Sequence, residues 1–306
     1  MTTPPGRKLA QLAPCWLLEH ARNVYSQCGE DGIIEQILKR IPVCDRWCVE
    51  FGAWDGRHMS NTCRLIEDCE YSAVLIEGDP DRAQLLQERS ATNARLIPVN
   101  QFVGYSANDN LDSILSKTAI PIDFDLLSID IDGNDYHVWN ATNKYQPKVV
   151  VIEFNPTIPT EVDFVQSASP QTTQGCSLKA LVRLGRQKGY ELVSVTLCNA
   201  IFVRREYFAS FEISDNRPET LRQDLSAVTW IFSGFDGQVI LQGSRNLPWH
   251  NLRIRTSRVQ QMPRFFRQYP HSFGRAKKLA FKVYKKLWNV LSRREQESDA
   301  SGHRAA

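Results

Sequence analysis

Carboxylates and glycines recur in this chain wherever an apolar run ends. Glu50-Phe51-Gly52-Ala53-Trp54-Asp55-Gly56 closes one such run, and Ile76-Glu77-Gly78-Asp79-Pro80 closes the next. Ser128-Ile129-Asp130-Ile131-Asp132-Gly133-Asn134-Asp135 and Glu153-Phe154-Asn155 close two more. Glycine lets a backbone bend sharply and come close to a ligand. The spacing is not G-x-G-x-x-G, and no Gly-Lys-Ser/Thr follows, so a nucleoside held without its phosphates suits these turns better than NAD or ATP. Glu50 and Asp55 match a ligand with a cationic amine. Glu77 can accept both hydrogen bonds of a ribose diol. Glu50, Gly52, Ala53, Asp55, Gly56, Glu77, Gly78 and Asp79 are therefore the candidate cofactor-binding residues, with adenosine as the ligand they point to. One such turn alone would be ordinary turn chemistry; the recurrence at successive run ends is what marks a site.

The third and fourth segments suggest reaction chemistry. In a strand, Asp130 and Asp132 project to one side, as do Glu153 and Asn155. Those four side chains could hold Mg²⁺ or Mn²⁺ through oxygen ligands. Equally, a carboxylate there could take the proton of a substrate hydroxyl. Asp130, on the strand itself, is the first candidate for that base. Asp132 and Asp135 serve as well to cap the helix that follows. His58 and His137 are further acid–base candidates, although a lone helical histidine is more often structural. A Ser-His-Asp triad lacks the G-x-S-x-G signal that would support it.

These segments need a scaffold that brings them to one edge. Apolar runs at 47–51, 71–76, 94–99, 125–131 and 148–154 predict strands, and 190–195 with 200–204 a closely connected pair. Helical spacing covers 24–41, 58–68, 81–89, 111–115, 136–145 and 177–188. Strands alternating with helices predict an α/β fold, a Rossmann-like parallel sheet with helices on both faces and one antiparallel hairpin at its edge. Open sheets of this kind bind ligands beyond the carboxyl ends of their strands. The expected organisation is a polar arm at 1–23, the Rossmann-like domain at 24–207, an accessory segment at 208–262 and a basic helical tail at 263–306.

The chain of 306 residues is 42% hydrophobic and 23% charged, which suits a globular protein with a substantial core. It has no apolar run long enough to span a bilayer, and residues 1–12 lack the pattern of a secretory signal. A cytoplasmic, reducing location is the expectation. Cys44 and Cys48 come nearest to a zinc ligand pair, but no second pair follows at finger-like spacing. The eight cysteines are therefore expected to be reduced thiols packing as small hydrophobes. Net charge is +3, unevenly spread: between Asp236 and Glu295 there are fourteen Lys and Arg residues and no acid. Leu279, Val283, Leu287, Val290 and Leu291 share one face of the last helix, bordered by Tyr284 and Trp288. Lys278, Lys282, Lys285 and Arg293 share another. Such a helix either docks on a core or lies on an anionic membrane surface; both readings stay open. The Arg264-Phe265-Phe266-Arg267 stretch would also permit RNA contact, but no RNA-binding motif accompanies it.

Over roughly 25–205, the segments quoted above resemble the FkbM-type methyltransferases. Glu50 to Gly56 matches that family's glycine-rich first motif and Ile76 to Pro80 its acidic second motif. Asn110-Leu111-Asp112 is similar to its Leu-Asp step, and Tyr25-Ser26-Gln27-Cys28-Gly29-Glu30-Asp31-Gly32 to the opening of a bacterial subgroup. Ser128 to Asp135 matches the pattern Lys-Ile-Asp-Val-Glu-Gly-Ala-Glu, with Ser128 in place of Lys and Asp132 in place of Glu. The resemblance implies a seven-stranded methyltransferase sheet, S-adenosylmethionine at Gly52 and Glu77, and methyl transfer to an oxygen of a sugar, glycan or specialised metabolite. Asp130, then Asp132 or His58, would take the acceptor proton; a metal, if bound, would instead lower the acceptor's pKa. Two rivals stand beside it. One is a nucleotide-sugar glycosyltransferase using Asp130 and Asp132 with a divalent metal. The other is a non-catalytic membrane- or RNA-binding protein on the same fold.

Overall fold

Runs such as Val149–Glu153 have apolar side chains on both faces and can be stable only inside a sheet covered on both sides. In the computed structural model, which describes residues 13–42 and 44–302 (backbone alone for 291–302), they form the centre of a seven-stranded sheet. Its strands are β1 (Trp47–Phe51), β2 (Ser72–Glu77), β3 (Leu96–Asn100), β4 (Leu126–Ile129), β5 (Val149–Glu153), β6 (Tyr190–Val195) and β7 (Asn199–Arg204). Their order is β3-β2-β1-β4-β5-β7-β6. Strands β1 to β5 pair in parallel, and β7 runs antiparallel between β5 and β6. This is the expected seven-stranded Rossmann-like sheet. Its edge hairpin is present, with the reversed strand inside the sheet and β6 at the rim. The chain steps outward from β1 to β3 and then returns to β4, so the topological switch lies between β1 and β4.

The connecting helices are α1 (Glu30–Arg40), α2 (Cys63–Asp68), α3 (Pro80–Thr92), α4 (Leu111–Leu115), α5 (Asp135–Ala141), α6 (Leu178–Gln187) and α7 (Pro218–Leu221). Apolar side chains from strands and helices form one core. Within it Trp139 of α5 lies against Tyr190 and Phe202, with ring centroids 5.8 and 5.1 Å apart. Each such ring contributes roughly 1.5–3 kcal/mol by leaving water.

Several elements are shorter than their spacing predicts, among them α5, which ends at Ala141, and three of them are cut short for a polar reason. Helix α1 starts at Glu30, not near 24, because Asp31 Oδ2 accepts the backbone N–H groups of Val24, Tyr25 and Ser26 at 2.8, 2.7 and 2.8 Å. Helix α2 starts at Cys63, not 58, because the buried Glu50 carboxylate holds residues 60–62 as a loop. Strand β4 stops at Ile129 because Asp135 recruits the N–H groups of Ile131 and Gly133, both at 2.9 Å, into a turn.

The chain forms two compact units, Met1–Val228 and Thr229–Ala306. The division falls inside the 208–262 segment. The second unit contains a hairpin of β8 (Thr229–Ser233) and β9 (Val239–Gly243), and the long helix α8 (Arg275–Gly302). Among the described residues, no helix is long and apolar enough to cross a membrane. The side chains of Leu291 and Arg293, part of the predicted amphipathic pattern, lie outside the described residues.

Candidate functional site

Parallel pairing in register delivers the carboxyl ends of β1, β2, β4 and β5 to one edge, and the candidate residues with them. Gly52 and Asp130 meet at the β1/β4 switch. Gly52 has φ +72°, and a β-carbon there would stand 1.9 Å from the Asp130 carbonyl oxygen. Its lack of a side chain thus serves the approach of two strand ends. Ala53 N–H donates to the Ile76 carbonyl at 3.2 Å, and the guanidinium of Arg89 donates to the Gly56 carbonyl.

Glu77 joins the first two turns. Its Oε2 accepts the Trp54 N–H at 2.8 Å and its Oε1 the Asp79 N–H at 2.9 Å. Each carboxylate oxygen has two lone pairs, so one on each remains for a ligand. Asp79 caps α3 through the N–H groups of Asp81 and Arg82. Two exposed aromatic rings flank Glu77. Trp54 is 41% exposed, and the Arg82 guanidinium lies 4.8 Å from its ring centroid. Phe102, 76% exposed, lies directly on Gly78, where a β-carbon would be 2.2 Å from its ring. Sequence reading missed Phe102; an aromatic residue two positions beyond β3 was the available signal.

Other candidates are engaged within the protein. Glu50 accepts from Ser60 Oγ at 2.6 Å, Thr62 Oγ1 at 2.7 Å and the Asn61 N–H at 2.8 Å, and burial raises its pKa despite these bonds. Asp55 accepts the N–H groups of Arg57 and His58 at 2.8 and 2.7 Å. His58 is exposed, its ring edge-on to Trp54 at 5.2 Å. His137 Nε2 contacts the Gln166 carbonyl at 2.9 Å. Asn155 accepts from Thr157 and donates to the Gln174 carbonyl, closing its own loop.

Asp130, Asp132 and Glu153 come together, with one oxygen of each within 4.8 Å of the others. Burial, then Asp135, Asp132 and Glu50, pushes Asp130 up to about 7. Burial, then Asp130, pushes Glu153 up to about 10. Of these two carboxyls, Glu153 is thus raised further than Asp130. Asp132 has φ +56° and is exposed. The charged groups acting most strongly on the pair are acidic, a setting that favours a cation. The three oxygen donors suit a hard divalent ion, and the same field suits a positively charged organic group. A separate cavity of about 490 Å³ between α1 and α2, lined in part by Glu35, Arg64 and Tyr71, contains none of the candidate residues.

No protein-family profile matches the chain, and no curated protein matches it. Among solved structures it is similar to the mitomycin 7-O-methyltransferase, 13% identical over 52% of this chain and 48% of that one, with a TM-score of 0.32. The chain thus spans about half the length of that enzyme. It is also similar to a SAM-dependent methyltransferase from Aquifex aeolicus, 8% identical over 62% of this chain and 96% of that one, TM-score 0.34. A third is the N-terminal domain of EvdMO1 in the presence of SAH and D-fucose, 8% identical over 57% of this chain and 82% of that one, TM-score 0.37.

Proposed function

We propose that this chain is an S-adenosylmethionine-dependent methyltransferase acting on a hydroxyl oxygen of a sugar, glycan or specialised metabolite. The observation that carries this reading is Glu77, a buried carboxylate with free lone pairs at the tip of β2, between two exposed aromatic rings and on the same sheet edge as the Asp130–Asp132–Glu153 cluster. Glu77 would hold the ribose hydroxyls, and Trp54 and Phe102 offer apolar faces to a base. Gly52, Ala53, Gly56, Gly78 and Asp79 shape the backbone around that space, while Glu50 and Asp55 hold the loop between them. When bound, S-adenosylmethionine supplies a methyl group on an electron-poor sulfur. Asp132, and Asp130 when ionised, would complement its positive charges. Asp130, ionising near neutrality, takes the acceptor hydroxyl's proton, with Asp132 or His58 as the alternative base. A Mg²⁺ or Mn²⁺ ion on Asp130, Asp132 and Glu153 would lower the acceptor's pKa.

Calorimetric titration with S-adenosylmethionine tests this. Binding by the wild type, weakened about tenfold or more in Glu77→Gln (~1.4 kcal/mol) and kept in Asp130→Asn, supports it. Binding of a uridine diphosphate sugar with Mn²⁺ and none of S-adenosylmethionine would replace it with the glycosyltransferase reading.

We infer in addition that the second unit meets an anionic membrane surface, which would bring the enzyme to the inner face of the cytoplasmic membrane. On α8, Leu279, Val283, Leu287 and Val290 are 66, 56, 61 and 49% exposed, and Lys278, Lys282, Lys285 and Lys286 are exposed beside them. An apolar stripe flanked by lysines is the form of an interfacial helix. Cosedimentation with phosphatidylserine vesicles, lost in neutral vesicles and at high salt, is the expected result. Equal binding to neutral vesicles, or binding to RNA alone, would overturn it.

A further inference from the structure

We propose that Cys28, Glu30 and Cys198 form a site for one zinc ion, distinct from the carboxylate cluster. Local spacing gives no hint of it, because the two cysteines are 170 residues apart. Folding brings the segment ahead of α1 against the turn between β6 and β7. One ligand atom from each residue then lies within 4.8 Å of the others. The sulfurs are 3.8 Å apart, close to the edge of a tetrahedron whose zinc–sulfur bonds are about 2.3 Å.

The donor set selects the metal. Two sulfurs and one carboxylate suit borderline-soft zinc and are wrong for Mg²⁺. Three protein ligands leave a fourth position open, as in zinc sites that also bind water or substrate. Cys28 is half-buried, so an ion can arrive from its side, whereas Glu30 and Cys198 are buried.

The surroundings orient these ligands. Asn199 Nδ2 donates to Glu30 Oε1 at 3.0 Å and faces Cys198 Sγ at 3.7 Å. Thr196 Oγ1 donates to the same Glu30 oxygen at 2.7 Å. Glu30 Oε2 accepts only the Cys28 N–H, at 2.8 Å, and keeps a lone pair for metal. Gln27 Nε2 faces Cys198 Sγ at 3.8 Å. Hydrogen bonds of this kind fix and charge metal ligands. The charged groups acting on the two thiols are Glu30, Asp224 and Glu153, all acidic. Glu30 is 0% exposed and forms no ion pair among the described residues. A buried carboxylate beside thiols lacks its counter-charge, and a divalent ion supplies it.

The site adjoins the acidic edge. The Cys198 carbonyl accepts the Phe154 N–H at 2.8 Å, and Asn199 pairs with Glu153 across β7 and β5. Zinc there would tie the segment ahead of α1 to the sheet beside the carboxylates.

Cobalt(II) titration of the reduced, metal-free full chain tests the proposal without any use of S-adenosylmethionine. One cobalt per chain, with intense tetrahedral bands and a thiolate charge-transfer band displaced by zinc, is expected. Cys28→Ser and Cys198→Ser should lose the charge-transfer intensity in part, Asn199→Ala should weaken zinc binding roughly tenfold, and Asp130→Asn should leave the spectrum unchanged. Because a serine variant can misfold, the wild type is also alkylated with iodoacetamide, and zinc should protect Cys28. A spectrum without thiolate bands, or alkylation of Cys28 unaffected by zinc, would overturn the site.

Discussion

Gly52 presses its α-carbon so closely on the Asp130 carbonyl that a β-carbon would stand 1.9 Å from that oxygen. Two strand ends are thereby locked together at the switch point. Gly52→Ala would meet both this clash and a left-handed φ, and should destabilise the protein by ~3 kcal/mol or more. Urea denaturation checks this. A Gly52 variant that loses a ligand therefore reports on the scaffold, whereas Glu77→Gln reports on the ligand site.

Glu50 should behave as a structural post. Glu50→Ala orphans Ser60 Oγ, Thr62 Oγ1 and the Asn61 N–H in a buried place, at ~2–4 kcal/mol. Glu50→Gln keeps an acceptor and should cost clearly less. Thermal melts of the two variants would separate these effects, and equal losses would refute the assignment.

The carboxylate cluster makes stability pH-dependent. Asp130 and Glu153 both hold protons more tightly in the native chain than ordinary carboxylates do. Between the unfolded values near pH 4 and native values of about 7 and above, the folded state binds more protons, so stability falls as pH rises through that window. The urea midpoint should drop from about pH 5 to about pH 8, and Glu153→Gln should flatten the drop. An unchanged slope in that variant would contradict the coupling of the two carboxyls.

The same pair predicts a rate profile. If Asp130 is the base, methyl transfer should climb with pH through about 7. Asp130→Asn should lower kcat by roughly 10²- to 10⁴-fold and abolish that limb while S-adenosylmethionine still binds. A variant that keeps the limb would move the base elsewhere.

Much of this architecture was legible in the chain. Unbroken apolar runs such as Val149-Val150-Val151-Ile152 announced buried strands, and each acidic turn announced a strand end. What stayed hidden depends on side chains reaching across the fold. Asp31 captures three backbone N–H groups and Glu50 one N–H and two hydroxyls, so α1 and α2 begin later than their apolar spacing suggests. Periodicity records which face is apolar and is silent on which carboxylate claims a donor. Phe102 escaped notice because its role depends on Gly78 lying beneath it, a relationship between neighbouring strands. The Cys28–Cys198 pair escaped because only the placement of β7 brings its members together.

The reversed direction of β7 brings its first residue, not its last, to the ligand edge. A wall hung from a hairpin is free of a constraint that binds the parallel strands, each of which must run on into a helix. The three residues between Val195 and Asn199 place Thr196 against Glu30 and Cys198 against Cys28, so the segment ahead of α1 is fastened to the ligand edge through this turn. A change of contour in this one short hairpin would therefore be felt at the ligand edge and at the entry to α1 together, while the parallel ladder stays intact.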